Sequence, residues 1–461
     1  MSRRRSPIRI RFLVPRSKGW LGQVHPNGKA GIPRLSLTLL AALTPDRHRV
    51  EVIDTRFDPP GYDDPPDVAA ISAFTGEVRD AYEIADEFRR RGAKVVLGGI
   101  HVSMLPDEGL EHADCVVIGE AETTWPRVLE DIENGTLKKT YRAETFSGLA
   151  GMPVARRDLL DRNRYFTISS LQATRGCPFD CSFCTVTVYN GRSMRTRPIG
   201  EVVDEVRQLP NKKSIMFLDD NIAIARNYAK ELFAALKPLK VRWNSQASFN
   251  ITKDPELMEL MRDSGCDFLL IGFESVDQAS LDASKKGRWS TMEKYVEAIR
   301  TFHEYDINML GSFVVGLDND TREIFRATYH FIMDHSIDAA IINILTPYPG
   351  TALYAEYAKE GRIFDRDWNN YYNSNVVYYP KRMTPAELMD GYYWLMHRLY
   401  TPGNMARRIF KRKRNVSSRV ALNVSYQRKA RRYPKVAWDE IGHSPANLGL
   451  APSVNRQWTE L

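Results

Sequence analysis

The sequence predicts an α/β protein with three parts: an N-terminal doubly wound parallel sheet, a partial (β/α)6 barrel and a mostly helical C-terminal region. Strand-like and helix-like segments alternate in two separate runs, which is typical of parallel sheets covered by helices. The chain has 461 residues, 43% of them hydrophobic, and this length exceeds what one hydrophobic core usually supports. From about Tyr371 onward, aromatic, methionine and basic residues follow long helical periods. We therefore expect two α/β domains followed by a helical region.

The first run, residues 1–135, is predicted to form the doubly wound domain. Its expected elements are the strands Ile8–Val14, Val50–Asp54, Val68–Ala73, Val95–Gly98 and Cys115–Gly119 and the helices Leu35–Leu43, Glu77–Arg91 and Thr123–Asn134. Two glycine turns follow the later strands, Leu-Gly-Gly-Ile-His at 97–101 and Ile-Gly-Glu-Ala-Glu at 118–122. Ligands of such sheets bind beyond the carboxyl ends of the strands, where glycine lets the backbone come close. We therefore expect a ligand at these two turns.

A linker is predicted at residues 136–165, which lack a clean period and mix glycine, proline and charge. The alternation restarts over residues 166–370, and residues 371–461 form the helical region. The strands expected in the second run are Phe166–Thr174, Ser214–Leu218, Val241–Phe249, Phe268–Phe273, Asn308–Val315 and Ala339–Leu345. Asp254 followed by Pro255 is a typical helix start between two of them. These strand–helix units indicate a partial parallel barrel, with its chemistry at the carboxyl ends of the strands.

A cluster of three cysteines follows the first barrel strand. Cys177, Cys181 and Cys184 lie in the run Gly-Cys-Pro-Phe-Asp-Cys-Ser-Phe-Cys. A cubane iron–sulfur cluster is normally held by four thiolates, so a compact trio leaves one iron open to another ligand. The alternative is a zinc knuckle, which needs a fourth Cys or His at short range. No histidine lies between His112 and His303.

With Phe183 just before the last cysteine, this motif resembles the signature of the radical S-adenosylmethionine (radical SAM) superfamily. The resemblance covers about residues 8–360. It implies a [4Fe–4S] cluster whose open iron binds S-adenosylmethionine, and a 5'-deoxyadenosyl radical formed by reductive cleavage of that cofactor. The radical removes a hydrogen atom from an inert carbon. A low-potential electron donor such as flavodoxin or ferredoxin is then expected as a partner.

Residues for S-adenosylmethionine are expected where the barrel strands end. Carboxylate, amide and hydroxyl groups there can accept or donate hydrogen bonds to the cofactor, although Asp219–Asn221 would equally suit a helix cap. The resemblance adds Glu274 of a Gly-x-Glu element beside the cofactor, and Gly316 of an element that packs near adenine. The predicted S-adenosylmethionine contacts are Phe183, Asp219, Asp220, Asn221, Gln246, Ser248, Glu274 and Gly316.

The two glycine turns resemble those of the N-terminal cobalamin-binding domain that many radical SAM enzymes carry. The resemblance implies cobalamin contacts at Gly98, Gly99, His101, Gly119 and Glu120. The Asp-x-His-x-x-Gly motif that supplies a histidine to cobalt is missing after the first strand, and His25 lacks its required neighbours. Cobalamin is then expected without a histidine ligand. The alternatives are a domain that keeps the fold without the cofactor, and His101 as an ordinary turn residue.

The remaining cysteines and the termini indicate a cytoplasmic protein. Cys115 and Cys266 adjoin apolar strands, where a buried thiol is the ordinary explanation, so no auxiliary cluster is expected. Thiolates that hold iron must stay reduced, which favours a reducing compartment. The basic N-terminus is followed by a short alternating strand rather than the apolar region of a signal peptide, and no apolar run is long enough to span a bilayer.

Much of the net charge of +8 lies near the C-terminus. The basic residues are Arg407, Arg408, Lys411, Arg412, Lys413 and Arg414, and later Arg428, Lys429, Arg431, Arg432 and Lys435. Such a run, with Phe410 and Tyr433 interleaved, suits peripheral contact with anionic lipid headgroups. The alternative is a solvated helical face, or a tail folded over the catalytic domain. The aromatic residues from Trp368 to Trp394 either line an apolar channel or pack in the core.

These observations predict a radical SAM enzyme that methylates an unactivated carbon of a small molecule or lipid through cobalamin. One alternative keeps the radical chemistry but performs cyclisation, oxidation or carbon–carbon coupling without cobalamin. A second is a non-catalytic iron–sulfur protein that binds nucleic acid. The dense carboxylates at the strand ends oppose the second alternative, so nucleic acid is not expected as a partner.

Overall fold

A computed structural model of the chain describes residues 7–17, 28–143, 146, 148–286, 290–413 and 415–442. The loop that contains Trp20 and His25 lies outside the described residues, as does Arg414. Within the described part, both predicted parallel sheets are present, followed by the helical region. None of the helices in these ranges is long and apolar enough to cross a membrane.

The N-terminal domain is a parallel sheet of six strands in the order β2-β1-β3-β4-β5-β6. The strands are β1 (Arg9–Val14), β2 (Arg49–Asp54), β3 (Val68–Ser72), β4 (Lys94–Gly98), β5 (Cys115–Ile118) and β6 (Thr140–Arg142). The helices are α1 (Leu35–Leu43), α2 (Val78–Arg90), α3 (Ile100–Met104), α4 (Pro106–His112) and α5 (Trp125–Asn134). Both faces of the sheet are buried, as expected of an all-parallel sheet.

Strand β6 lies inside the range predicted to be a linker. It pairs in parallel with β5, and Tyr141 is buried in the core on the outer face of the sheet, where its hydroxyl donates to Asp131 at 2.6 Å. The strand has one buried side chain, the Tyr141 ring. A segment of three residues is too short to show a hydrophobic period, and the sequence therefore did not predict this strand.

The second domain is the predicted partial barrel of six parallel strands, in the order β14-β13-β12-β11-β10-β7. These strands are β7 (Ser170–Leu171), β10 (Ile215–Phe217), β11 (Trp243–Ala247), β12 (Cys266–Glu274), β13 (Asn308–Val315) and β14 (Ala339–Ile344). Between β7 and β10, a small antiparallel ribbon of β8 (Thr174–Arg175) and β9 (Arg195–Thr196) flanks the cysteine loop. The barrel is open, with β7 and β14 at its edges.

The barrel helices follow the strands, and one of them begins at the capping residue Asp254 that the sequence predicts. They are α6 (Thr185–Tyr189), α7 (Ile199–Gln208), α8 (Arg226–Leu236), α9 (Pro255–Asp263), α10 (Gln278–Ala283), α11 (Met292–Glu304), α12 (Ile324–Asp334) and α13 (Ala352–Lys359). The carboxylate of Asp254 accepts from the backbone N–H of Leu257 and caps α9, as expected. Cys115 and Cys266 are buried in their strands, also as expected.

The C-terminal region consists of α14 (Pro385–Leu399), α15 (Pro402–Ile409) and α16 (Val416–Ala430). Helices α14 and α16 pack against β14 and so cover an edge of the barrel sheet. Part of the basic run is buried here: Arg408 is 1% exposed, and Arg412 donates to both oxygens of Asp338 at 2.6 and 2.7 Å. Arg412 holds the tail against the barrel, and Arg408 bonds to the Leu399 and Asn404 carbonyls within the tail, so neither is available to lipid. By contrast, Phe410 is 69% exposed. Membrane contact through the exposed remainder stays a prediction.

Replacing Arg412 by Leu is expected to lower the free energy of unfolding by about 3 kcal/mol, because the buried Asp338 carboxylate would lose its bidentate partner. Urea denaturation followed by circular dichroism measures the change. Arg407→Leu, at an exposed position of the same run, is the control and is expected to leave the midpoint unchanged. Equal midpoints for the two variants would contradict the structural role of Arg412.

Candidate functional site

The three cysteines line one cavity of about 210 Å³ at the carboxyl ends of the barrel strands. Their loop leaves the ribbon at Gly176, whose φ of +94° and contact with the Ser193 carbonyl leave no room for a side chain. The backbone N–H of Cys184 donates to the Cys181 carbonyl at 3.1 Å, and α6 starts directly after Cys184. The loop is therefore a tight turn that directs all three sulfur atoms into the same cavity.

The three cysteines fit the ligand set of a cubane cluster, since all three line the same cavity. A [4Fe–4S] cluster needs its thiolates spread around a cavity, because each binds a different iron. Burial raises the pKa of Cys181 to about 12, so the thiol must release its proton when it binds iron. The residues present therefore fit an iron–sulfur cluster.

Uncharged polar groups from neighbouring strands face this cavity. The backbone N–H of Ser248 donates to Asn221 Oδ1 and Asn221 Nδ2 donates to Ser248 Oγ, both at 3.2 Å. Gln246 is the exposed residue of the otherwise buried or half-buried strand β11 and also lines the cavity. Phe183 lines it beside the cysteines. The structure thus brings four of the predicted S-adenosylmethionine contacts together with the cluster ligands.

Glu274 lines the same cavity and carries a partner that the sequence does not reveal. Lys286 Nζ donates to Glu274 Oε1 and to the Gly272 carbonyl, both at 2.7 Å. Glu274 has a φ of +67°, at an irregularity in the pairing of β12 with β13. Such a conformation costs energy for a residue other than glycine and is concentrated at functional sites. The carboxylate is thereby held at the rim of the cavity with its charge balanced by Lys286.

Two neighbouring carboxylates hold the cysteine loop instead of pointing freely into the cavity. Asp219 is fully buried and accepts from the backbone N–H groups of Ala173 and Thr174, and burial raises its pKa to about 7. It does not line the cavity and is a positioning residue, not the cofactor contact that the sequence predicted. Asp220 does line the cavity, but it also accepts from Gly176 N at 2.8 Å and Asn190 Nδ2 at 2.9 Å.

Gly316, a predicted S-adenosylmethionine contact, is not among the residues that line the cavity. Its backbone N–H donates to Asp320 Oδ2 at 2.9 Å, and a side chain at this position would meet Tyr378 and Leu388 of the C-terminal region. This packing and a φ of +93° both require a glycine at this position. Ser312 on the same strand lines the cavity instead. Ser312 could have been predicted from the sequence, because it is a polar residue within an otherwise apolar strand.

The glycine turns border a second cavity of about 380 Å³ at the carboxyl ends of the N-terminal strands. Of the residues predicted to contact cobalamin, Gly98, Gly99, Gly119 and Glu120 line this cavity. Gly99 has a φ of +100°, and a side chain there would come within 2.5 Å of the Ala73 carbonyl oxygen. Apolar residues line most of the remaining wall, and no histidine among the described residues does. The glycine turns and the apolar wall of this cradle fit a cobalamin.

His101 was predicted to contact cobalamin, but its imidazole is buried away from the second cavity. The ring lies edge-on to Trp368 with centroids 5.0 Å apart, and its Nε2 is 3.5 Å from Glu108. Helix α3 begins immediately after Gly99 and turns the side chain towards α4. His101 therefore packs between the N-terminal domain and the segment that follows the barrel, which is the turn-residue alternative.

An acid–arginine clamp, formed by Glu120, Glu122, Arg175 and Arg195, joins the two domains at the second cavity. Arg175 pairs with Glu120 at 3.0 Å and with Glu122 at 2.7 Å. Arg195 donates to both oxygens of Glu120, at 2.8 and 2.5 Å. The hydroxyl of Tyr189 adds a hydrogen bond to the Gly119 carbonyl at 3.0 Å. The Gly-Glu-x-Glu turn is therefore bonded to the chain on both sides of the cysteine loop.

The chain matches three family models. The radical SAM superfamily model covers residues 171–332, the B12-binding domain model covers residues 29–129, and a domain of unknown function, DUF4070, covers residues 351–441. These ranges correspond to the barrel, to the N-terminal sheet and to the C-terminal region.

Two relatives come from Chlorobaculum tepidum. The chain is 33% identical over 399 residues to bacteriochlorophyllide d C-8(2)-methyltransferase, covering 80% of this chain and 88% of the relative. It is 32% identical over 416 residues to bacteriochlorophyllide d C-12(1)-methyltransferase, covering 87% and 90%. A hopanoid C-2 methylase from Rhodopseudomonas palustris is 26% identical, covering 73% and 66%.

Solved structures share the fold. The radical SAM methyltransferase TsrM from Kitasatospora setae, with cobalamin and a [4Fe–4S] cluster bound, superposes with a TM-score of 0.65 at 18% identity, covering 92% of this chain and 99% of that one. The cobalamin-dependent radical enzyme OxsB, with aqua-cobalamin and S-adenosylmethionine bound, gives a TM-score of 0.67 at 15% identity, covering 98% and 80%.

Replacing Cys181 by Ala is expected to remove the cluster, because only two thiolates would remain and a second iron would lose its protein ligand. After anaerobic reconstitution, iron should fall from about four atoms per chain to fewer than one. Cys266→Ala, which removes a buried thiol distant in sequence from the loop, is the control and should keep its iron. A full complement of iron in the Cys181 variant would exclude the cysteine trio as the ligand set.

Replacing Arg195 by Met is expected to accelerate cobalamin dissociation by about tenfold, because Glu120, which lines the second cavity, would lose a buried ion-pair partner. Absorbance of cobalamin retained after gel filtration measures the effect, and iron content should not change. Arg192→Met is the control, since that side chain is 60% exposed. The clamp would have no role in closing the cavity if both variants retained cobalamin equally.

Proposed function

Because the chain belongs to the radical SAM superfamily, in the group with an N-terminal cobalamin-binding domain, we propose that it is a C-methyltransferase acting on an unactivated carbon. Its cofactors are a [4Fe–4S] cluster, S-adenosylmethionine and cobalamin. When bound, the cluster and S-adenosylmethionine supply the radical, and cobalamin supplies the methyl group.

The observation that carries the proposal is the wall between the two cavities. Asp220 and Val186 line both the cysteine cavity and the glycine-turn cavity. Val186 lies two residues after Cys184, so the same turn of α6 borders both. A substrate held beside this wall would be within reach of both cofactors without leaving the protein. Placing reacting groups together in this way contributes strongly to catalysis.

The residues around the cysteine cavity have distinct proposed roles. Cys177, Cys181 and Cys184 would hold the cluster. The carboxylate of Glu274 suits the ammonium group of S-adenosylmethionine, because a charge-assisted hydrogen bond is stronger than a neutral one. Asn221, Gln246 and Ser248 offer amide and hydroxyl groups for the ribose or carboxylate. Asp219 and Asp220 keep the cysteine loop in place for this set.

The substrate is proposed to be a large, mainly apolar molecule. The relatives described above act, by name, on bacteriochlorophyllide d and on hopanoids, which are polycyclic skeletons. A buried interface between domains excludes water from a radical and suits such a skeleton. A low-potential protein such as flavodoxin or ferredoxin is the proposed electron donor.

The reconstituted enzyme, given S-adenosylmethionine and reductant, is expected to form 5'-deoxyadenosine and to methylate a component of a lipid or pigment extract. Mass spectrometry detects both products. Omitting cobalamin should leave 5'-deoxyadenosine and abolish methylation, because the cobalamin domain supplies only the methyl group. Cys184→Ala should abolish both products.

Two outcomes would overturn parts of the proposal. Formation of 5'-deoxyadenosine with a cyclised or oxidised product, and no methylated one in the presence of cobalamin, would replace methyl transfer by the alternative radical chemistry. Failure of an enzyme with a full cluster to cleave S-adenosylmethionine would remove the radical SAM activity itself.

A further inference from the structure

A third cavity, of about 340 Å³, lies where all three parts of the chain meet. Phe74, Ile100 and Thr185 line both this cavity and the glycine-turn cavity. Asn343 lines the third cavity and donates to Ser312 Oγ at 3.1 Å, and Ser312 lines the cysteine cavity. The third cavity is therefore the neighbour of both cofactor cavities.

Lys429, in the last turn of α16, is the cation that lines this cavity among the described residues. The residue is 7% exposed, and within the described chain its ammonium has no hydrogen bond or ion pair. Glu77, the carboxylate on the same wall, is already paired with Arg34 at 2.7 Å and accepts from Phe74 N. The largely buried Lys429 side chain therefore presents its ammonium to the cavity, where an anion would supply the partner that the described residues do not.

The charge of Lys429 persists near neutral pH. Burial lowers its pKa to about 8, and no other group shifts it. Below that pH most of the molecules carry an ammonium group. An anion that enters the cavity would thus meet a positive charge that no group in the described part of the chain neutralises.

Part of the wall around Lys429 is aromatic. Tyr348, Tyr371 and Tyr372 line the cavity. The hydroxyl of Tyr348 donates to Asn373 Oδ1 at 2.6 Å, and that of Tyr371 donates to the Asp365 carbonyl at 2.7 Å. Since these hydroxyls are occupied, the rings chiefly offer apolar surface to a ligand. A flat or polycyclic body would pack against them.

We propose that the third cavity is the substrate site and that Lys429 binds a carboxylate on a substrate with an aromatic or polycyclic body. This inference rests on the proposed function, because the cavity gains its meaning from the two cofactor cavities beside it. It assigns the C-terminal region the role of selecting the substrate. Lys429 would hold one end of the substrate while the ring system faces Ile100 and Thr185, which also line the glycine-turn cavity.

The test compares two ligands that differ only in charge, 1-pyrenebutyrate and its methyl ester. Equilibrium dialysis against the anaerobic holoenzyme measures each Kd. The enzyme is expected to bind the acid about tenfold more tightly than the ester, the preference that one charge-assisted hydrogen bond supplies. Lys429→Met should abolish the preference by weakening the acid alone, and Lys429→Arg should keep it. Lys435→Met, at an exposed position, is the control.

The proposal is overturned if the holoenzyme binds the two ligands equally, if it binds neither, or if Lys429→Met keeps the preference. Unchanged ester binding and unchanged cofactor content in the Lys429→Met variant would show that this variant folds correctly. If the Met variant does not fold, the Lys429→Arg variant, which keeps the charge, still tests the proposal. The binding assay requires no turnover. A failure to bind the acid preferentially is therefore distinct from a failure of methyl transfer, which is measured separately by the formation of 5'-deoxyadenosine and methylated product.

Discussion

The acid–arginine clamp is the constraint on which the arrangement of the sites depends. Glu120 pairs with arginines on both sides of the cysteine loop, and Arg175 immediately precedes Gly176 and Cys177. The side chains of Glu120, Arg175 and Arg195 are 2%, 8% and 12% exposed, so solvent screens these charges little. The clamp fixes the cysteines relative to the glycine turns, and the two cavities consequently share a wall.

The C-terminal region completes the assembly through one helix with two electrostatic roles. Near the start of α16, Arg419 donates to Asn308 Oδ1 at 2.8 Å and lies 3.7 Å from Asp338, beside Arg412. Near its end, Lys429 has no such partner. The same basic run therefore anchors the tail to the barrel at one end and supplies a charge to a cavity at the other. These two roles explain why part of the basic C-terminal run is buried, although the sequence alone would also suit a solvated helical face.

Alternation and motif spacing predicted both sheets, the cysteine loop and the glycine turns, because these are set by local sequence. The misplaced residues depend on partners distant in sequence. Gly316 is required by Tyr378 and Leu388, and His101 is turned towards Trp368. Lys286 could not be found because only the folded chain brings it to Glu274. Sequence thus located the site, whereas packing decided which side chains face it.

The central claim is that the cluster and cobalamin occupy adjoining cavities. Electron paramagnetic resonance of the anaerobic holoenzyme tests it most directly, with the cluster reduced and the cobalamin in its paramagnetic Co(II) form. Two spins separated only by the wall of Asp220 and Val186 should broaden each other's signals, and the Co(II) signal should relax faster than in a Cys181→Ala protein without cluster. Identical Co(II) spectra and relaxation with and without the reduced cluster would contradict the shared wall.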